Sequence, residues 1–445
     1  MTEACPVHLL TPYPSFPRLL FGRCAVRSAA FPANDAAGGQ RVLIGSAAGT
    51  AEADAVAEAD VTARALGELA ERVHNTLAGR AAESDPTALV ASYSELRRRG
   101  VPALDPLCWP ELAARPEPAR DARLLWVPGE SLTGGGEVFV PACAVHLAHR
   151  PPPGCAAPLR PGSTGVAAHR TRAAATEHAA LEVLERDLLW RAWYGDGRRA
   201  VVPFPEYGAP LREGLAALGL TAAVLLLPGP GGTVCVVACL HDGSGAAQSF
   251  GARASFAQPE PQSQPEPQSQ SQPQPQSKPE PGTASTAAYD SGPVAPATAV
   301  RAAVLEALMV RWSLRTPAAE AALRRLLRDG WREVDGPLAH ALYAFHRQDG
   351  LARLLDGGAA PHDRPAGRAA PPRGPVAPGS AGRILAEHTG EDVVLVGTRA
   401  PRSVEAAGDR DVVRVVAPGA RRLPARERLG SPPTGARDPA PHPLG

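Results

Sequence analysis

Lysine is almost missing from this 445-residue chain. The single lysine, Lys278, stands in a repetitive Gln/Pro/Ser tract, and every other basic residue is arginine. That scarcity excludes a Gly-Lys-Ser/Thr phosphate loop, a Schiff-base lysine and a kinase-type lysine from any ordered position. An excess of charge is missing too. Lys+Arg number 46 against 45 Asp+Glu, so no net field draws the chain to nucleic acid or to an anionic membrane. The seven cysteines include no C-x-x-C pair. They read as reduced thiols in a cytoplasmic protein. Cys235 and Cys239 lie four apart in a strand-like run, so they share a face and read as core packing rather than a zinc site. No charged-then-apolar signal opens the chain. The longest apolar stretch, Leu220 to Leu240, is broken by Pro228-Gly-Pro-Gly-Gly232. It reads as two buried strands and a turn, not as a membrane span.

The 445 residues allow about three units of roughly 150 residues, or one large domain with insertions. Residues 1–40 are punctuated by proline and are expected to be irregular. Residues 41–416 alternate strand-like and helical stretches, which points to an α/β (mixed α+β) domain. Its helices are expected near Ala51–Ala78, Arg172–Tyr194, Ala297–Leu314 and Ala318–Arg328. Strands are expected at 392–396 and 411–416. Residues 123–141 read as strand, Gly-rich turn, strand; without a following Gly-Lys-Ser/Thr the three glycines make a hairpin rather than a phosphate loop. Residues 258–282 repeat Gln, Pro, Ser and Glu, lack the apolar residues that offset ordering entropy, and are expected to be a disordered insertion. Residues 357–382 read as a Pro/Gly/Arg linker, and 417–445 as a Pro-rich tail.

Two helices repeat one motif. The first contains Glu68-Leu-Ala-Glu71-Arg72 and the second Glu182-Val-Leu-Glu185-Arg186. In each, the acids lie at i and i+3 with the arginine at i+4, so all three share a face. One such motif alone is usually an exposed helix with its own salt bridges. Here both copies are embedded in apolar helices, where unpaired carboxylates need a cation or hydrogen-bond donors. Glu306, in the apolar run from Val304 to Val310, adds a fifth acid. Residue chemistry alone therefore suggests a carboxylate cluster with arginines. Mg2+ suits such a cluster, held by a few carboxylates plus substrate phosphates. The planar guanidinium suits phosphate. The sum is an ATP–Mg2+ site built without a Gly-rich loop or a lysine.

Several stretches resemble the YcaO family, in particular its azoline-forming cyclodehydratases. They are Ser163-Thr-Gly165-Val-Ala-Ala, Glu177-His178-Ala-Ala-Leu-Glu182-Val-Leu-Glu185-Arg186-Asp187, Trp193-Tyr-Gly195, and the first Glu-x-x-Glu-Arg helix. Leu124–Glu130 with Val138–Pro141, Ala303–Arg311, Asp411–Gly419 and Pro439-Ala-Pro441-His-Pro443 complete the pattern. The resemblance implies the family's ATP-binding fold and its chemistry. A Cys, Ser or Thr of a ribosomal precursor peptide is converted to thiazoline or (methyl)oxazoline after ATP phosphorylates a backbone amide oxygen. By the same resemblance, Glu68, Glu71, Glu182, Glu185 and Glu306 would hold Mg2+. Arg72, Arg186, Ser163, Thr164 and His178 would bind ATP. The tail residues Pro439, Pro441, Pro443 and Gly445 would order the active site, with the Gly445 carboxylate as a proton acceptor. The family pattern usually has Ser at Arg64 and Gln at His178, and a Gln near Met309 and Val310; Arg64 would add positive charge beside the cluster. Implied partners are the precursor peptide, a separate leader-recognition protein, an FMN-dependent azoline dehydrogenase and a second copy in a homodimer. Neither nucleic acid nor a membrane is implied. Thioamide or amidine formation is the alternative chemistry, and a non-catalytic scaffold the alternative role. His340 matches a family position but reads as a structural histidine.

Overall fold

The computed structural model describes residues 5–33, 39–51, 54–113, 116–195, 197, 200–201, 207–257, 296–356, 380–400, 410–431, 433, 436 and 440–444. The 258–282 insertion lies outside them. The first sheet is antiparallel, with strands β1 (His8–Leu10), β2 (Leu19–Arg27) and β3 (Val42–Thr50) in that order. Two of these strands fall within residues 1–40, so that segment is not irregular as its prolines suggested. The prolines at 12, 14, 17 and 32 flank β2 rather than interrupt it, and a flanking proline costs the ladder nothing.

Helix α1 (Asp54–Ser84) lies on this sheet. Its sequence is rich in Ala, Leu and Glu and free of proline, which favours an unbroken helix. Val61, Ala65, Leu69 and Val73 recur every four residues and bury one stripe against Cys24 and Ala47. Asp85-Pro86 follows the helix end, as the restriction on residues before proline leads one to expect.

A second sheet runs β4 (Leu89–Ala91), β5 (Leu124–Ser131), β13 (Val394–Gly397), β14 (Asp411–Val416) and β7 (Val166–His169); β6 (Glu137–Pro141) forms the expected hairpin with β5. Gly135 and Gly136, at φ 68° and 88°, supply the left-handed backbone of that turn. A third sheet runs β11 (Ser249–Phe256), β10 (Thr233–Asp242), β9 (Leu220–Pro228) and β8 (Ala200–Val201). Strand β10 is covered on both faces, so it reads as a continuous apolar run. Cys235, Val237 and Cys239 pack with helix α2 (Arg172–Tyr194), while Val236, Ala238 and Leu240 pack with helix α3 (Ala297–Ser313). The two cysteines thus belong to the core.

Helices α4 (Pro317–Arg328) and α5 (Pro337–Arg347) follow, with strand β12 (Glu333–Asp335) between them pairing with β15 (Arg426–Arg428). Helix α6 (Ser380–Thr389) begins inside the stretch read as a 357–382 linker. Ala381 and Leu385 are buried against α2, so apolar burial overrides the glycine and proline just upstream. Among the described residues, no helix is long and apolar enough to cross a membrane.

Candidate active site

The three helices α1, α2 and α3 meet the three sheets at five glutamates, and one contact recurs at each. Glu68 on α1 accepts a hydrogen bond from the Ser46 N–H of β3 at 2.6 Å, and Glu71 one from the Ala168 N–H of β7 at 3.0 Å. Glu182 on α2 accepts from the Gly165 N–H at 3.0 Å, and Glu185 from the Ala254 N–H of β11 at 2.8 Å. Glu306 on α3 accepts from the Ala252 N–H of β11 at 3.0 Å. The i, i+3 spacing therefore has a structural job. Glu68 and Glu71 reach amides of two different strands, and Glu182 and Glu185 reach the turn just before β7 and strand β11, so each helix staples two separate segments at the site.

Glycine makes these approaches possible. A Cβ on Gly45 would stand 2.2 Å from the Ala65 carbonyl oxygen of α1, and one on Gly251 would stand 2.2 Å from the Ala303 carbonyl oxygen of α3. Each glycine directly precedes the residue whose N–H holds the glutamate, Ser46 in one case and Ala252 in the other.

The staples use one oxygen of each carboxylate. The other oxygen of Glu68 pairs with Arg72, whose guanidinium also donates to the Ile44 carbonyl at 2.8 Å. That of Glu185 lies 3.6 Å from Arg186 Nε. The second oxygens of Glu71, Glu182 and Glu306 have no hydrogen-bond partner among the described residues. Burial, reinforced by Glu182, pushes the Glu71 carboxyl up to about 8. Burial also pushes Glu182 up to about 7; Arg186 opposes the shift and Glu185 adds to it. Glu306 is raised by burial against the pull of Arg186. Burial opposes the Arg186 charge, but Glu185, Glu306 and Glu182 outweigh it and its pKa is raised. The cluster is thus an under-compensated set of carboxylates, which a bound cation would stabilise.

The flanking residues are placed as follows. Ser163 and Thr164 precede the Gly165 amide that holds Glu182. His178 is exposed one turn before Glu182, with its ring edge-on to His169 at 5.3 Å. Arg64 does not add charge to the cluster as expected. Its guanidinium donates to Asp60 at 2.9 Å and to the Ala48 carbonyl at 2.6 Å, because a nearer acid on its own helix captures it. Met309 is half-buried against the apolar cluster shared by α3, the third sheet and the N-terminal segment. Two arginines were not singled out from the sequence. Arg253 on β11 acts electrostatically on Glu306, and Arg414 on β14 on Glu182. Both lie on strands, where no helical spacing marks them.

The tail reaches the same helix. Trp193 Nε1 donates to the Ala440 carbonyl at 2.8 Å, and Ala440, His442 and Leu444 are buried. Glu427 accepts hydrogen bonds from Tyr194 at 2.5 Å and from the His442 backbone N–H at 3.1 Å, and its Oε2 lies 2.9 Å from His340 Nε2. Pro441 and Pro443 are held within this buried segment; Pro439 and Gly445 lie outside the described residues. His340, Glu427 and His442 form the one group of three potential metal ligands within 4.8 Å of one another among the described residues. Their geometry is that of a clamp. The two imidazoles stack at 4.0 Å and 11°, so their in-plane lone pairs lie in separate, nearly parallel planes. A metal needs convergent, in-plane nitrogens at roughly 2 Å.

A family model described as YcaO cyclodehydratase, ATP- and Mg2+-binding, matches residues 54–258, the span that carries both Glu-x-x-Glu-Arg helices. Residues 54–258, a little under half of the chain, thus match the YcaO family. ATP and Mg2+ are accordingly its cofactors. The chain is similar in fold to a heterocyclase in complex with substrate and cofactor (TM-score 0.60, 17% identity, covering 96% of this chain and 50% of that one). It is also similar to a YcaO from Methanopyrus kandleri bound with AMPPCP and Mg2+ (0.51, 18%, 93% and 85%). A third likeness is to the E. coli microcin synthetase McbBCD complex with pro-MccB17 bound (0.56, 12%, 94% and 89%). An uncharacterized protein of Methanothermobacter thermautotrophicus is 42% identical over 66 residues, which is 15% of this chain and 17% of that protein. The chain thus spans half the heterocyclase chain and a smaller part of the archaeal relative. The five glutamates fit Mg2+ in a particular way. They do not close around one ion by themselves, so cations held here would share their coordination with ligand oxygens, as Mg2+ does with phosphates.

Proposed function

We propose that this chain is an ATP-dependent cyclodehydratase acting on a ribosomal precursor peptide. The observation that carries the reading is the set of five glutamates pinned by backbone amides, three with a free oxygen, with Glu182, Glu185 and Glu306 gathered around the charge of Arg186. Glu68, Glu71, Glu182, Glu185 and Glu306 would hold Mg2+, which supplies neutralisation of phosphate charge. Arg186, with Arg72, Ser163, Thr164 and His178, binds and orients ATP. In the reaction, the thiol or hydroxyl of a Cys, Ser or Thr loses its proton and adds to the preceding backbone carbonyl. The resulting oxyanion takes the γ-phosphoryl group and releases ADP. Phosphate then leaves as the C=N bond forms and the former amide nitrogen gives up its proton. A dissociative phosphoryl transfer asks for positioning and charge stabilisation more than for covalent help, and a rigidly stapled cluster supplies both.

The precursor's leader is presented by a separate recognition protein, and an FMN-dependent dehydrogenase acts afterwards where azoles are made. The similarity to a multiprotein microcin synthetase supports that arrangement. The test is ATP–Mg2+ binding by calorimetry with the full chain beside Glu182→Ala and Glu185→Ala. Binding that needs Mg2+ and is lost in both variants is expected, followed by ADP release matched to loss of water from the precursor when the partner is added. Unchanged binding in both variants overturns the reading.

A further inference from the structure

A cavity of about 470 Å3 is lined by Thr164 and Arg414 and by none of the five cluster glutamates. Its charged lining is unequal: Arg160, Arg414, Arg421 and Arg422 against Glu111. Arg414 is 4% exposed. One of its guanidinium nitrogens donates to the Gly162 carbonyl at 2.8 Å, and its Nε is buried with no partner. No carboxylate lies within ion-pair distance of Arg414 among the described residues. Burial, with Arg422 nearby, pushes its pKa down to about 9. A buried, incompletely satisfied guanidinium is costly. Arg421 is set in advance. Its backbone N–H donates to Asp187 at 2.8 Å and its guanidinium lies 4.9 Å from the centre of the Trp190 ring. The remaining walls include Leu159, Val183 and Leu423.

We propose that this cavity binds an organic oxyanion, a carboxylate or phosphate carried on an apolar body, independently of ATP. The arginines offer the planar forks that suit both groups. The volume exceeds what a bare phosphate needs, falls in the range of small-molecule sites, and the apolar walls suit the body of such a ligand. The proposal does not depend on the cyclodehydratase reading.

The test is calorimetric titration of the full chain, alone and saturated with AMPPCP–Mg2+. The probes are phenyl phosphate, N-acetyl-phenylalanine, its uncharged amide, and inorganic phosphate. One or both organic acids bind more tightly than inorganic phosphate and than the amide, and keep their affinity when AMPPCP–Mg2+ is present. The tighter of the two identifies the phosphate or the carboxylate as the natural head group. Arg414→Gln and Arg421→Gln weaken that binding at least tenfold. Should Arg414→Gln fail to fold, Arg421→Gln and the exposed Arg160→Gln decide. Absence of binding by either acid, equal binding of the amide, displacement by AMPPCP, or full affinity in folded Arg421→Gln overturns the proposal.

Discussion

Glu83 shows what a satisfied carboxylate looks like in this protein, and so what the cluster glutamates lack. Its Oε1 accepts the Arg150 N–H at 2.6 Å and lies 2.9 Å from His149 Nδ1, while Oε2 pairs with Arg80 at 2.5 Å. Burial works to raise its pKa, but these three partners outweigh it and hold the carboxyl below its ordinary value. A depressed carboxylate contributes stability that is complete above its unfolded pKa of about 4.3 and is lost as the pH falls through the folded value. Glu83→Gln is therefore expected to lower stability at pH 7 by about 1–3 kcal/mol. Denaturant melts of wild type and variant should draw together as the pH drops below about 4; a gap that stays constant with pH would contradict the linkage. Glu71 and Glu182 are pushed the other way, up to about 8 and about 7, because burial is opposed by only one amide each and few cations. Stability is held back at these positions in the absence of a ligand.

At the scale of the element, helix α1 on β3 and helix α3 on β11 use one device: a glycine that lets helix backbone touch strand backbone, followed by an amide that takes a glutamate. Gly45→Ala and Gly251→Ala are each expected to cost about 1–3 kcal/mol, since the helix must back away from a new methyl group. Both should also weaken ATP–Mg2+ binding in calorimetry. Gly243→Ala, whose Cβ would meet nothing within 4 Å, should stay within about 0.5 kcal/mol of wild type. Much of this was legible beforehand. The proline-free Ala/Leu/Glu stretches announced the helices, the continuous apolar run announced β10, and the repeated Glu-x-x-Glu-Arg announced the cluster. The pairing of Glu68 with Ser46 and Glu306 with Ala252 was not, because a backbone amide leaves no mark on residue type. Strands β1 and β2 were hidden by flanking prolines. Arg253 and Arg414 were hidden because a strand arginine is ordinary until its neighbours are known.

In the whole molecule, the tail is tied to α2 by a buried network centred on Glu427, which takes hydrogen bonds from Tyr194 and His442 and faces His340. Glu427→Ala would leave these groups buried without their acceptor, at a cost of about 3–5 kcal/mol. The segment 440–444 should then lose protection in hydrogen exchange well before the core sheets do; uniform loss of protection across the chain would show that the network supports the fold rather than the tail. The same view gives the staples a consequence for divergence. The donors to the five glutamates are main-chain N–H groups of Ser46, Gly165, Ala168, Ala252 and Ala254. Nineteen of the twenty amino acids carry such a group, so the hydrogen bond itself places no demand on the donor's side chain. Sequences that drift far apart can hold the same carboxylates in the same places. At Ser46, Ala168, Ala252 and Ala254 proline, which has no N–H to give, would break the link outright, whereas Gly165, at φ 81° with the Val415 carbonyl oxygen 2.7 Å from where a Cβ would stand, is held to glycine by its backbone.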